Sequence, residues 1–382
     1  MHVTVIGAGA FGTWTARWLI RRGASVTLID QYGPGNSLAS SGDESRATRS
    51  AHGPDDHYPL WQRRSLEQWL QLDPGLFVRT GVLWLARRED GFEARSAEVL
   101  QRIGIPTERL SPAAMGDRWP HITTDDLAWG LLEPEAGVLL ARRGVAATAR
   151  AFVEEGGVLR HGRASVDGEN VLVDDERLAA DAFVFAAGPW LPKLLGSVPG
   201  LELEVPQQEV IYFATPPGDQ RFDAGSVPTW VEYEAAFYGL PSIEGRGFKV
   251  APDWPGPAVD PDRHERRVSD ERVEASRTYL RRRFPALAEQ PVAEGRVCQY
   301  ELTADTHFII DRHPSLPSAW IVGGGSGHGF KHGPAVGEYL SALLVADAAA
   351  AAELAPPDNR FALRHRVPAA GMRTSGVVPA TE

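Results

Sequence analysis

A single cysteine, Cys298, stands in this 382-residue chain, which excludes an intramolecular disulfide framework and any CxxC metal site. Such thiol poverty fits a reducing compartment. No apolar run approaches the ~18 residues that a membrane helix needs, and no secretory signal precedes MHVTVIGAG, which already reads as structure. The expected location is the cytoplasm, away from membranes. Basic residues are in deficit: 39 Lys and Arg against 50 Asp and Glu give a formal net charge of -11, which repels a phosphate backbone and leaves no footprint for nucleic acid. A small molecule is the default partner, and no obligate protein partner is implied. HxxH pairs are missing as well, so no metal is expected. What remains is ordinary globular material, 43% hydrophobic with 11 Trp and 14 Phe, at a length that suits two domains.

The opening residues carry a recognisable unit. Residues 3–6 form a short apolar strand that ends in Gly7-Ala8-Gly9-Ala10-Phe11-Gly12, residues 13–22 run at helical spacing to a stop at Gly23, and residues 25–29 make a second strand ending at Asp30. This is a βαβ unit of about thirty residues. In GAGAFG, Gly7 permits the tight turn, Gly9 lets the backbone approach a pyrophosphate, and Gly12 allows close helix-to-strand packing. Asp30 is spaced to accept hydrogen bonds from an adenosine ribose. A dinucleotide is therefore expected; the fingerprint alone does not separate NAD from FAD. A later apolar strand, residues 183–186, closes on Ala187 and Gly188, small residues that let the backbone pass close to a cofactor.

Elsewhere the pattern changes. Residues 80–134 mix short strands with charged helices, and residues 141–156 read as a helix. Residues 201–297 are rich in aromatics and prolines and carry a charged helix at 271–283, which suggests a second domain of sheet plus helix. An apolar strand to Val322, a glycine-rich turn and a helix to about Asp347 follow. The Ala-rich stretch 348–352 reads as the end of that helix, and the last twenty or so residues read as a frayed tail.

Five segments together carry a resemblance: GDESRATRSAHG (42–53), YGLPS (238–242), GFK (247–249), VCQYELTADTHFIID (297–311) and SGHGFK (326–331). RWPHIT (118–123) and EPEAGVL (133–139) extend it. In these the chain resembles the monomeric sarcosine oxidase and N-methyltryptophan oxidase family, FAD-dependent amine oxidases of the D-amino acid oxidase superfamily. The resemblance implies an α/β fold, with a Rossmann-like FAD-binding domain and an α+β substrate domain carrying a mixed or antiparallel sheet. It assigns residues 1–79, 139–200 and 298–365 to the FAD-binding domain, 80–138 and 201–297 to the substrate domain, and 366–382 to the tail.

The resemblance also implies roles. Cys298 would hold FAD covalently through a thioether to a ring methyl. Arg49 and Lys331 would bind the substrate carboxylate, a planar guanidinium gripping it with two hydrogen bonds while an ammonium adds a point charge. Lys249 would promote reaction with molecular oxygen by stabilising developing negative charge. Arg46 would pack against the flavin, or contact phosphate or ribose. Tyr238 would wall the pocket or bond the substrate. Gly325, Gly327, His328 and Gly329, before a helix, would offer N–H groups to the flavin, with His328 either taking part or simply capping the turn. Ser41 and Gly42 would lie along the cofactor, as would Lys331. Two departures stand out: Ser41 occupies a family histidine position beside a motif with one extra residue, and Asp253 replaces a second histidine, which shifts the expected substrate charge. The implied reaction oxidises the C–N bond of a secondary amine or N-methyl amino acid to an imine, with hydrogen peroxide as coproduct. The rivals are a flavin-dependent amino acid dehydrogenase or tailoring enzyme acting on a cyclic or bulky substrate, a nicotinamide-dependent dehydrogenase, and a flavoprotein that binds without turnover.

Overall fold

The computed structural model describes residues 1–316 and 318–368. β1 (His2–Ile6), α1 (Ala10–Arg21) and β2 (Ser25–Asp30) form the opening unit, with the two strands parallel and His2 opposite Ser25. They lie inside a six-stranded sheet ordered Ile309–Arg312, Ala319–Gly323, Ala182–Phe185, β1, β2, Val158–His161. All pairings are parallel except the outermost, between Ile309–Arg312 and Ala319–Gly323. A parallel sheet must be covered on both faces, and alternate side chains of this one feed two cores. Val3, Val5 and Leu28 pack with Ala16 and Leu19 of α1 and Val336 and Leu340 of the helix Gly333–Leu344. Ile6, Phe185 and Ile321 face Leu191 and Val198 on the other side.

The glycine turn is shaped by contact distances. Gly7 has φ +106°, and a Cβ there would sit 2.4 Å from the carbonyl oxygen of Ala186 in the neighbouring strand. A Cβ on Gly12 would fall 1.8 Å from the carbonyl oxygen of Gly7, so no larger residue lets α1 start so close to β1. These are the two roles expected of the first and third glycines.

A second, eight-stranded sheet runs Val292–Gln299, Gln207–Phe213, Phe248–Pro252, Phe237–Leu240, Thr229–Glu232, Val82–Ala86, Trp129–Glu133, Glu108–Leu110. It is antiparallel apart from the parallel pair Thr229–Glu232 and Val82–Ala86, hence mixed. The helix Asp270–Arg283 covers one face, putting Tyr279 and Leu280 against Trp230, Phe248 and Val250. Cys298 lies in the outermost strand of this sheet, opposite Gln208, so the expected domain boundary at residue 298 falls within a strand. A three-stranded ribbon joins the layers: Arg46–Thr48 and Phe77–Val78 flank Gly137–Leu139.

Two expectations need correcting. The helix Gly333–Leu344 stops before Ala346, whose φ is +57°, and the Ala-rich stretch forms a separate helix, Ala348–Leu354, capped by the Asp347 carboxylate accepting from the Ala350 N–H. Nor does the expected tail begin loosely: Arg366 is buried and donates to Asp305 at 2.7 Å and to the carbonyls of Phe308 and Ala362. The remainder, 369–382, lies outside the described residues. No helix among the described residues is long and apolar enough to cross a membrane.

Candidate active site

A cavity of about 350 Å³ opens between the layers. Gly7, Gly9, Asp30, Ser41, Arg46, Ala187, Gly188, Gly325, Gly327 and Gly329 all line it. Ten residues expected to touch a cofactor are thus brought together on one surface. The N-terminus of α1 opens into it at Gly9 with no acidic residue in its first turn, so its free N–H groups and partial positive charge are available to a phosphate. Asp30 is partly committed: its Oδ2 accepts from the Ala8 N–H at 2.7 Å and its Oδ1 from Tyr32 and Gly33 at 2.8 and 2.7 Å. Three of roughly four lone-pair positions are used, so the carboxylate secures the turn and keeps one position for a sugar hydroxyl. A cavity lined by a bare helix N-terminus, the Asp30 carboxylate and a glycine loop fits a dinucleotide such as FAD.

Some expected contacts lie behind the wall. Gly12 packs under Gly7, and Gly42 closes a tight loop in which a Cβ would meet the Asn36 carbonyl oxygen at 1.9 Å. Cys298 is not on the cavity surface, but its Sγ lies 4.0 Å from Nη2 of Arg46, which is. Burial pushes the Cys298 thiol up, with the Arg46 guanidinium pulling the other way. His328 turns its ring away from the cavity. Its Nε2 donates to the Thr306 carbonyl at 2.9 Å, and its ring packs on Phe308 at 4.9 Å and on Tyr58 at 4.9 Å. The side chain therefore braces the glycine turn, while Gly325, Gly327 and Gly329 line the cavity.

Arg49 and Lys331 are both buried. Arg49 donates to the Ala51 carbonyl, stands 5.0 Å above the Trp84 ring and approaches Nε2 of His52 at 3.4 Å. Lys331 Nζ donates to the His328 carbonyl at 2.9 Å. Burial drives the Lys331 ammonium well below the ordinary lysine range, and the Arg49 charge beside it adds to the shift. Glu133 sets this arrangement. Its buried carboxylate accepts from the backbone N–H of Ser50 at 2.6 Å, of Ala51 at 3.2 Å and from the Trp84 indole at 2.8 Å, which pins the segment that carries Arg49. Beneath lie His52, His328 and His332, each with a ring nitrogen within 4.8 Å of the others. Their imidazoles are held neutral, first by burial and then by the Lys331 charge. Two cations at the rim make this a poor place for a metal ion.

Lys249 is buried in an ion pair. Its Nζ lies 2.5 Å from Oδ2 of Asp43 and donates to the Ser45 carbonyl at 3.0 Å. Arg46 also binds Asp43, as does the Tyr212 hydroxyl at 3.2 Å. Burial alone would raise the Asp43 pKa, but Lys249 and Arg46 together hold it well below the usual carboxylate range. Sequence reasoning named the two cations and missed the anion between them, although it stands inside the quoted GDESR. Glu133 and Glu301 were missed in the same way, inside EPEAGVL and YELTADTHFIID. No local signal singles them out, since each segment carries a second acid, Glu44, Glu135 or Asp305. Tyr238, half-buried in Phe237–Leu240, lies beside Tyr300, whose hydroxyl donates to Asp253 at 3.3 Å.

Fold and cavity define a flavin-type dinucleotide enzyme, an FAD-dependent oxidoreductase. The chain belongs to the FAD dependent oxidoreductase family, which it matches over residues 2–343. It is 31% identical to the monomeric sarcosine oxidase of Bacillus sp. (strain B-0618), covering 90% of this chain and 92% of that one. It is 32% identical to the peroxisomal sarcosine oxidase of Mus musculus, covering 89% and 90%. Among solved structures, L-proline dehydrogenase from P. horikoshii superposes with a TM-score of 0.79 over 91% of this chain and 93% of that one, at 21% identity.

Proposed function

We propose that this protein oxidises the C–N bond of a secondary amine or N-methyl amino acid to an imine, with oxygen reduced to hydrogen peroxide. The observation that carries the reading is the pair Arg49 and Lys331. Both cations are buried near a carboxylate, Glu133, that is itself engaged by three N–H donors, and a substrate carboxylate has the charge and the two oxygens to join guanidinium and ammonium. The similarity to sarcosine oxidases supports the same substrate class.

Residues 7–12, Asp30, Ser41 and 325–329 would hold FAD, which supplies a two-electron acceptor for the amine carbon. The chain's own work is positioning. Arg49 and Lys331 orient the carboxylate, and Glu133 keeps the Arg49 segment in place. Tyr238 and Tyr300 form a half-buried polar wall near Arg46, where an amine proton can be held. Lys249 is a fixed cation neutralised in part by Asp43, so it contributes to oxygen reaction through the Lys249–Asp43–Arg46 cluster as a unit. Cys298, next to Arg46, would carry the flavin covalently. Hydrolysis of an N-methyl-derived imine would release formaldehyde; oxidation at a ring carbon would leave a cyclic imine.

Anaerobic mixing with a panel of N-methyl and cyclic amino acids should bleach the flavin absorbance, and the corresponding amines lacking a carboxylate should not. Admission of air should then return one peroxide per amine. Bleaching without peroxide would make the enzyme a dehydrogenase, and equal rates for acid and decarboxylated amines would remove the carboxylate clamp. Acid precipitation followed by peptide mass should find the flavin on the Cys298 peptide; release of free FAD would disprove the covalent link alone.

A further inference from the structure

Glu301 is a half-buried carboxyl group in the cofactor cavity, approached by the backbone N–H groups of Gly325 and Gly324 but left with one oxygen unmatched. Its backbone is fixed on every side: the Ser326 N–H donates to its carbonyl at 3.0 Å, the Tyr300 N–H to Pro206 and the Leu302 N–H to Glu204. The side chain lines the cavity, yet Oε2 is shielded from solvent and has no hydrogen-bond partner among the described residues. Such a group is costly unless a ligand completes it. Three glycines open a slot around it. A Cβ on Gly323 would lie 3.1 Å from Oε2, one on Gly325 3.2 Å from Oε1, and one on Gly188 3.9 Å from Oε2. These glycines leave room for the carboxyl, although Gly323 is also required by Leu191, whose Cδ1 would lie 2.3 Å from a Cβ there.

We propose that the Glu301 carboxyl is a direct FAD contact, donating a hydrogen bond from its protonated oxygen to a ribityl or phosphate oxygen, so that cofactor affinity falls as that proton is lost. The electrostatics agree. Burial pushes the Glu301 carboxyl up to about 7, opposed only by the backbone N–H groups of Gly325 and Gly324. Charged neighbours do not intervene. Tyr300 on the same segment is held neutral by burial, the ring of His328 in the glycine turn is engaged with Thr306, and Lys193 on the helix Leu191–Leu195 is engaged with Asp260. An ionised Glu301 would place a carboxylate against a cofactor that is itself anionic; a protonated one donates.

The test uses the full-length Cys298→Ser protein, in which FAD binds reversibly, stripped of flavin and titrated with FAD by fluorescence quenching from pH 5.5 to 8.5. If only the protonated carboxyl binds, the dissociation constant rises about tenfold between pH 6 and pH 8, with its midpoint near neutrality. Glu301→Gln in this background keeps an N–H donor and should hold the acid-side affinity at every pH. Glu301→Ala should bind about threefold to tenfold more weakly at low pH, for want of one hydrogen bond. A flat profile in the parent, or the same slope in parent and Gln variant, overturns the proposal. Infrared difference spectra, natural holoprotein minus Glu301→Gln, supply a second readout: a protonated carboxyl stretch at neutral pH that shifts in heavy water, with the constant band of Glu93, also pushed up to about 7, cancelled. A difference spectrum without that band would also overturn it.

Discussion

Lys331 shows how one residue can combine binding with a pH response. Its ammonium is driven well below the ordinary lysine range by burial and by Arg49, and only its protonated form attracts a carboxylate. Affinity for a carboxylate inhibitor should therefore be full below the depressed pKa and should fall as pH rises through it. Lys331→Arg, which stays charged throughout, should flatten that profile; an inhibitor constant with equal slope in both proteins would show that another group titrates. Arg49→Gln removes charge-assisted hydrogen bonds worth about 1.5–3 kcal/mol. The expected result is a loss of about tenfold to 150-fold in kcat/KM for carboxylate substrates and little for decarboxylated amines. These two cations were legible because the sequence motifs place them; Asp43, Glu133 and Glu301 were not, because a carboxylate's role depends on which donors the fold brings to it from far along the chain. Asp43 meets Lys249 across 206 residues, and no local spacing announces that.

At the scale of elements, the opening β1–α1–β2 unit was readable residue by residue, since its turn demands glycine at fixed offsets and its strands are buried on both faces. The second sheet was readable only as a region. Its strands alternate poorly because the helices Asp270–Arg283 and Phe92–Arg102 cover parts of the two faces, and its order, which sets Val82–Ala86 beside Thr229–Glu232, is a long-range pairing. The helix Asp270–Arg283 was visible by its charge, but its anchor was not. Arg283 is fully buried and donates to Glu232 at 3.0 Å through both Nε and Nη2, and Tyr279 donates to the same carboxylate at 2.7 Å. Arg87 also pairs with Glu232, so removing Arg283 leaves that carboxylate partly paired, at a cost below the about 3–5 kcal/mol of a wholly stranded buried charge. Arg283→Met should lower the denaturation midpoint accordingly. Arg281→Met, on an exposed pair of the same helix, should leave it nearly unchanged, and equal effects would mean that the buried pair contributes nothing special.

Over the whole molecule, the cofactor cavity lies where the two sheet systems meet, so what joins them also governs cofactor exchange. At the cavity rim, Asp262 reaches from the second system's connecting segment to residues of the first. Its Oδ1 accepts from the Trp190 indole at 2.7 Å and the Tyr32 hydroxyl at 3.3 Å, and its other oxygen meets Lys193. Tyr32, Trp190, Lys193 and Asp262 all line the cavity. The bridge therefore ties the two systems together at the wall of the cavity. Its parts are unequal: Lys193 is 40% exposed, so its ion pair is screened and weak, while the Trp190 and Tyr32 bonds are neutral-donor bonds insensitive to salt. Asp262→Ala should thus raise the flavin release rate about tenfold in the Cys298→Ser background, for two lost hydrogen bonds. Lys193→Ala should raise it less, and 0.5 M salt should move the parent toward Lys193→Ala but not toward Asp262→Ala. Stopped-flow recovery of flavin fluorescence measures all three. An unchanged rate in Asp262→Ala would mean that the cofactor leaves by another face, and a salt effect as large as the Asp262 effect would mean that the ion pair, rather than the two aromatic donors, holds the layers closed.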